Sequence, residues 1–136
     1  MQSGEKFPDD GAVVVVVPQG MKPSVDEKAR FEGLRPNDPA PDDSHDGIGV
    51  IRSIGGAYTR TDGKGDFRVR LPDGGDFYVL VISRRGKRKA GSGFKKSDLA
   101  QMGHYFLDAT ELIGSQPYRW QAMEVSRDRV LNFVMD

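Results

Sequence analysis

Along residues 66–71 apolar and polar side chains alternate with period two. Phe67, Val69 and Leu71 would share one face and Asp66, Arg68 and Arg70 the other, which predicts a strand with one wet face. Residues 77–82 are apolar on both faces and predict a central strand. Turn chemistry precedes each run. Thr61, Asp62, Gly63, Lys64 and Gly65 stand before the first, and Pro72, Asp73, Gly74, Gly75 and Asp76 before the second. With a further strand-like run from Gly56, the stretch 56–85 predicts an antiparallel meander. Residues 12–17, nearly all valine, predict a buried strand.

Helical signals are shorter. Ser24 and Glu27 have capping-box spacing, and Val25 and Ala29, with Phe31 or Leu34, would face the core. Gly33 and Pro36 supply the stop, which predicts a helix of about two turns. Residues 36–47 read as a loop, and 49–54 predict the next strand. Leu99, Met102, Phe106, Ala109 and Ile113 fall on one stripe of a second helix that Ser97 would cap. Gly103 costs that helix about 1 kcal/mol against alanine, so it is expected to end near Phe106, with a separate turn at 110–114. Residues 117–125 and 128–134 predict a closing hairpin around Ser126, Arg127 and Asp128. Trp120, Ala122 and Met123 would contribute on one strand, and Val130 and Phe133 on the other.

These units resemble a known family. Thr61-Asp62-Gly63-x-Gly65-x-Phe67, then Leu71-Pro72, then Gly75-x-Phe77-x-Val79, are similar to the transthyretin-like, carboxypeptidase-regulatory-like β-sandwich domains. The early Gly11-Ala12-Val13-Val14-Val15 resembles that family's Gly-Ala-x-Val strand, and the match runs from Gly11 to Ser83. The resemblance implies an all-β fold with minor α: a prealbumin-like antiparallel β-sandwich of about seven strands with one or two short helices. Residues 11–136 would form this single domain behind a mobile lead-in, 1–10. Two departures stand out. The family has one more strand before the Gly-Ala-x-Val strand, and the segment between Val17 and Arg52 is a long insertion. The missing neighbour would leave the edge of Val13, Val14, Val15, Val16 and Val17 bare, open to a protein partner or to self-association. It also points to a piece of a larger protein. The resemblance implies no activity, because such modules serve as appended binding, spacing or regulatory domains, and it favours an extracytoplasmic or cell-envelope setting.

Composition narrows the chemistry. A chain of 136 residues is long enough for one domain with a core, and 17 glycines with 8 prolines favour a turn-rich fold. Net charge is zero, so no global field draws in nucleic acid or an anionic membrane. The absence of cysteine removes disulfides, thiolate zinc sites and cysteine nucleophiles. No apolar run approaches the roughly 20 residues of a spanning helix.

Asp42, Ser44 and Asp46, followed by Gly47, match the first half of a calcium-binding loop. The twelfth position, which should be a bidentate glutamate, is Ser53, so these are candidates only and no metal site is predicted. His45 and His104 read as surface or interface histidines. No nucleophile elbow, phosphate loop or cofactor motif is present; no catalytic residue is singled out and the chain is not expected to be an enzyme. The most unusual surface feature is a basic loop. Arg84, Arg85, Lys87, Arg88, Lys89, Lys95 and Lys96 carry seven positive charges with no acid among residues 84–96. A solvated loop or an acidic partner suits it better than nucleic acid, although its lysines could grip phosphates with Phe94 stacking on a base. Trp120, Tyr118 and Tyr58 are candidates for a sugar platform, with core packing the better role for Trp120. The expectation is a non-catalytic interaction or structural module, with ligand binding by end loops (carbohydrate or calcium) or phosphate binding by the basic loop as alternatives.

Overall fold

The computed structural model describes residues 11–21, 23, 28–30, 32–39, 41–42, 44–61, 66–68, 75–83, 94–125 and 130–132. Along the chain lie β1 (Val13–Pro18), α1 (Asp46–Ser53), β2 (Ala57–Arg60), β3 (Asp66–Arg68), β4 (Gly75–Ile82), α2 (Lys96–Met102), α3 (Ala109–Ile113), β5 (Tyr118–Val125) and β6 (Val130–Asn132). The fold is mostly strand, with few short helices. A four-stranded antiparallel sheet has the order β2-β1-β4-β5, and β3 pairs with β6 in a second, two-stranded sheet.

The valine run sets this order. Val13 to Val17 have no solvent exposure on either face. A strand dry on both faces has to satisfy its main-chain groups in ladders on both edges. Val13 therefore lies opposite Arg60 of β2 on one side and Ile82 of β4 on the other. This corrects the expected bare edge: Val13 to Val17 form the interior of the sheet and offer no edge to a partner. It also corrects the meander, since β1 inserts between β2 and β4 while β3 goes to β6. The closing hairpin gives way for a similar reason. β4 is apolar on both faces and takes β5, a strand of equal length, as its second neighbour, from Gly75 opposite Val125 to Ile82 opposite Tyr118.

One face of the sheet presents Val13, Val15, Val17, Leu80 and Ile82, flanked by Tyr58, Tyr78, Tyr118 and Trp120. The helices cover it with Ile48 and Ile51 from α1, Met102 from α2, and Leu112 and Ile113 from α3. Val14, Val16, Phe77, Val79 and Val81 point to the opposite face and are buried as well.

Three local outcomes differ from or refine the sequence reading. Residues 49–54, expected as a strand, belong mostly to α1. Ile48 and Ile51 are spaced i, i+3 and turn inward, while Gly49 and Arg52 are exposed. The helix expected after Ser24 does not continue through 28–30. Ala29 instead forms a parallel bridge to Phe106, donating its N–H to the Tyr105 carbonyl (2.9 Å) and accepting from the Leu107 N–H (2.8 Å). Ser24, Val25, Asp26, Glu27 and Phe31 lie outside the described residues. The apolar stripe of the second helix does break at glycine. α2 ends with Gly103 as its C-cap, α3 follows as a separate turn ending at Gly114, and Met102, Phe106, Ala109 and Ile113 are all buried. Among the described residues no helix is long and apolar enough to cross a membrane.

Gly56, where α1 hands over to β2, has no room for a side chain. A Cβ there would run into the Val16 carbonyl oxygen and lie 3.1 Å from Ile51 Cγ2. Gly49, on the exposed side of α1, has nothing within 4 Å of its Cβ position. Gly56→Ala is therefore expected to lower unfolding free energy by about 2 kcal/mol or more, by overpacking against backbone that cannot yield. Gly49→Ala is expected to raise it by about 0.5–1 kcal/mol. Urea denaturation of the two variants checks the opposite signs.

Candidate functional site

Of the basic-loop candidates, Arg84, Arg85, Lys87, Arg88 and Lys89 lie outside the described residues. Lys95 is the N-cap of α2, without a side-chain cap bond, and Lys96 is its first residue; both are exposed. Phe94 packs against Tyr118, with 5.5 Å between ring centroids.

The cation candidates serve a turn. Asp42 Oδ1 accepts from the Ser44 N–H (3.0 Å) and from the Ser44 hydroxyl. Those two hydrogen bonds hold the Asp42 carboxyl below its ordinary pKa. Asp46 opens α1, and Gly47 lies inside that helix rather than at the sharp bend a calcium loop needs. The residue that organises this segment is His45. Its Nδ1 accepts from the Gly47 N–H (3.0 Å) and caps α1, and its Nε2–H donates to the Glu32 carbonyl (2.8 Å). In this arrangement Nδ1 is the acceptor and Nε2 the donor. Glycines wall the ring. A Cβ on Gly33, whose φ is +82°, would come within 2.5 Å of Nε2, and one on Gly47 within 3.2 Å of Nδ1. His104 is exposed at the end of α2.

Polar aromatics tie the sheet to the loops and helices around it. Tyr105 OH donates to the Pro18 carbonyl (2.7 Å), and burial pushes its pKa up to about 12. Tyr118 OH donates to Asp98 (2.9 Å), and Trp120 Nε1 donates to Gln101 Oε1 (2.6 Å). The Trp120 ring stacks on Tyr78 with 4.9 Å between centroids. Tyr58 stands at the far end of the same cross-strand row, through Val15 and Leu80, three strand spacings or about 14 Å from Trp120. The three aromatics therefore do not make one platform.

At the sheet end where Arg60, Val13, Ile82 and Tyr118 form a row, the structure has a groove of about 440 Å³ between residues 35–38 and 111–116. One wall is held by Arg60, which donates to the carbonyls of Arg35 (3.0 Å) and Asp38 (3.2 Å) and, through Nε, to Tyr58 OH (2.9 Å). Tyr58 OH in turn donates to the Leu34 carbonyl (2.8 Å), and burial raises its pKa. Within that wall Asp38 Oδ2 accepts from the Arg35 N–H (3.1 Å) and Nε–H (3.2 Å). Burial works against ionisation of Asp38, but these bonds and the Arg35 charge outweigh it and hold the carboxyl below its ordinary pKa. The other wall is fixed where Gln116 Nε2 donates to the Ser83 carbonyl (3.0 Å) at the end of β4. This groove is not legible in the sequence. Arg35-Pro36-Asn37-Asp38 carries a turn signal, with proline at its second position, but nothing local links it to 111–116.

The sheet's other notable surface is the outer side of β5. The Ser83 N–H donates to the Pro117 carbonyl (2.9 Å), which sets the ladder phase. Odd-numbered residues of β5 turn their main-chain groups to β4, while Tyr118, Trp120, Ala122 and Glu124 turn theirs outward. Among the described residues no strand pairs with that outer side. No protein-family model, curated protein or solved structure matches the chain.

His45 joins a helix cap to a thirteen-residue tie with one ring. His45→Ala is expected to cost about 1–2 kcal/mol of stability, and His45→Asn, which can restore the cap but not the link to Glu32, about half of that. Thermal and urea unfolding of both variants check the order.

Proposed function

We propose that the chain is a non-catalytic interaction module of a larger extracytoplasmic protein, and that it binds an extended segment of a partner protein by strand addition along β5. The observation that carries this reading is that, among the described residues, β5, an eight-residue strand with no proline or glycine in it, is paired on one side only. Such an edge presents a ready row of donors and acceptors, and strand addition uses main-chain bonds for affinity and alternate side chains for specificity. The opposite edge of the sheet is less suited. β2 has four residues, and its Tyr58 and Arg60 side chains hold the 34–38 segment.

A scaffold role is supported by how the polar side chains are spent. His45, Tyr58, Arg60, Tyr105 and Gln116 each bond main-chain carbonyls or amides of distant segments. The transthyretin-like sandwich belongs to the same proposal. Burial of the second face at Val14, Val16, Phe77, Val79 and Val81 supports a second layer there, and the β3–β6 pair is the natural contributor. The alternative of ligand binding by end loops is favoured by the groove at 35–38 and 111–116.

Amide hydrogen exchange of the chain alone tests the edge. Trp120, Ala122 and Glu124 amides are expected to exchange much faster than those of Gln121 and Met123. Slow exchange at the even-numbered set means the edge is already covered and removes the proposal. Ala122→Pro deletes an N–H that the β4 ladder does not use. The variant is expected to keep its circular dichroism spectrum while losing affinity for extended peptides selected from a random library on the wild-type chain. Equal binding by the variant also overturns the reading.

A further inference from the structure

The groove at the sheet end carries a second inference, independent of the β5 edge. Its walls are preformed. Arg60 clamps one from beneath through two carbonyls, and Gln116 pins the other to Ser83. A space of about 440 Å³ is enough for one long side chain and its flanking main chain.

The charges on the walls are unequal. The Arg35 guanidinium lies 3.2 Å from Asp38 Oδ2, so those two charges largely cancel. Glu111, on the facing wall, is exposed and makes no ion pair with any described residue. It sits in the first turn of α3, a helix of only five residues. Asn37 and Ser115 supply neutral acceptors in the same lining. One uncompensated carboxylate with scattered neutral oxygens suits a cation that spreads its donors. It suits a compact divalent ion poorly, since that needs several carboxylates converging, and among the described residues no three acidic or histidine side chains do so. We propose that this groove binds the lysine or arginine side chain of a basic peptide, with Glu111 as its counter-charge and the 35–38 turn as the opposing wall.

The test is a nitrogen-15 chemical-shift titration of the full chain with acetyl-Gly-Arg-Gly-amide, run beside acetyl-Gly-Gln-Gly-amide. Saturable shifts are expected at 35–38 and 111–116 with the arginine peptide, in the millimolar range, weakening as salt is raised. Glu111→Gln changes an exposed side chain and is expected to fold normally while weakening that binding about threefold or more, the scale of an exposed ion pair. Ala122→Pro is expected to leave it unchanged. The proposal is overturned by an absence of saturable shifts, by equal binding of the glutamine peptide, by undiminished affinity in Glu111→Gln, or by calcium alone producing the same shifts.

Discussion

Burial of five consecutive valines on both faces of β1 is the constraint from which the rest of this fold follows. Such a strand needs a ladder on each edge and a cover on each side. The ladders come from β2 and β4, which therefore cannot pair with each other although they are near neighbours in sequence. Covering the odd-numbered face brings in α1, α2 and α3, none longer than eight residues and none self-sufficient as an isolated helix. Their positions are fixed from the sheet. Tyr118 and Trp120 reach from β5 to Asp98 and Gln101 on α2, and Tyr58 and Arg60 reach from β2 to the 34–38 segment. The polar tips of otherwise apolar rows thus act as fasteners between layers, a use for which tyrosine and tryptophan are well matched.

Much of the element content was legible in the sequence, and little of the pairing was. The valine run, the apolar stretch of β4 and the β5 run announce strands by residue type, and Gly103 and Gly114 mark the ends of α2 and α3. Pairing is a long-range property. Nothing around Val13 indicates that Arg60 and Ile82 will flank it, so the strand looked like an edge when it is an interior. α1 was hidden for a local reason. Its two glycines and its β-branched Val50 and Ile51 imitate a strand, and its cap is a histidine rather than serine, threonine, asparagine or aspartate. The turn residues Asp62, Gly63, Gly65 and Pro72, on which the family resemblance leans, lie outside the described residues.

The groove shows why a site can be invisible to sequence reading even when its parts are ordinary. Each wall is a polar turn of a kind found in any domain. Their juxtaposition depends on Arg60 holding one and Gln116 the other, across a sheet whose order is itself non-local. Asp42 looked more like chemistry, and its carboxylate turned out to shape backbone. Asp42 closes a turn on Ser44, and the neighbouring His45 begins a helix.

The placement of β1 also bears on how the chain is made. Val13 leaves the ribosome long before its partner Ile82, which follows about 70 positions later. Contacts of such separation form late, after their loop-closure entropy has been met. Until β2 follows, an uncharged, β-branched segment has neither of its ladders, and until β4 follows it lacks the second; segments of this composition are the ones that stack into cross-β aggregates. The strand that organises the finished molecule is therefore an aggregation-prone segment for as long as its partners are unmade.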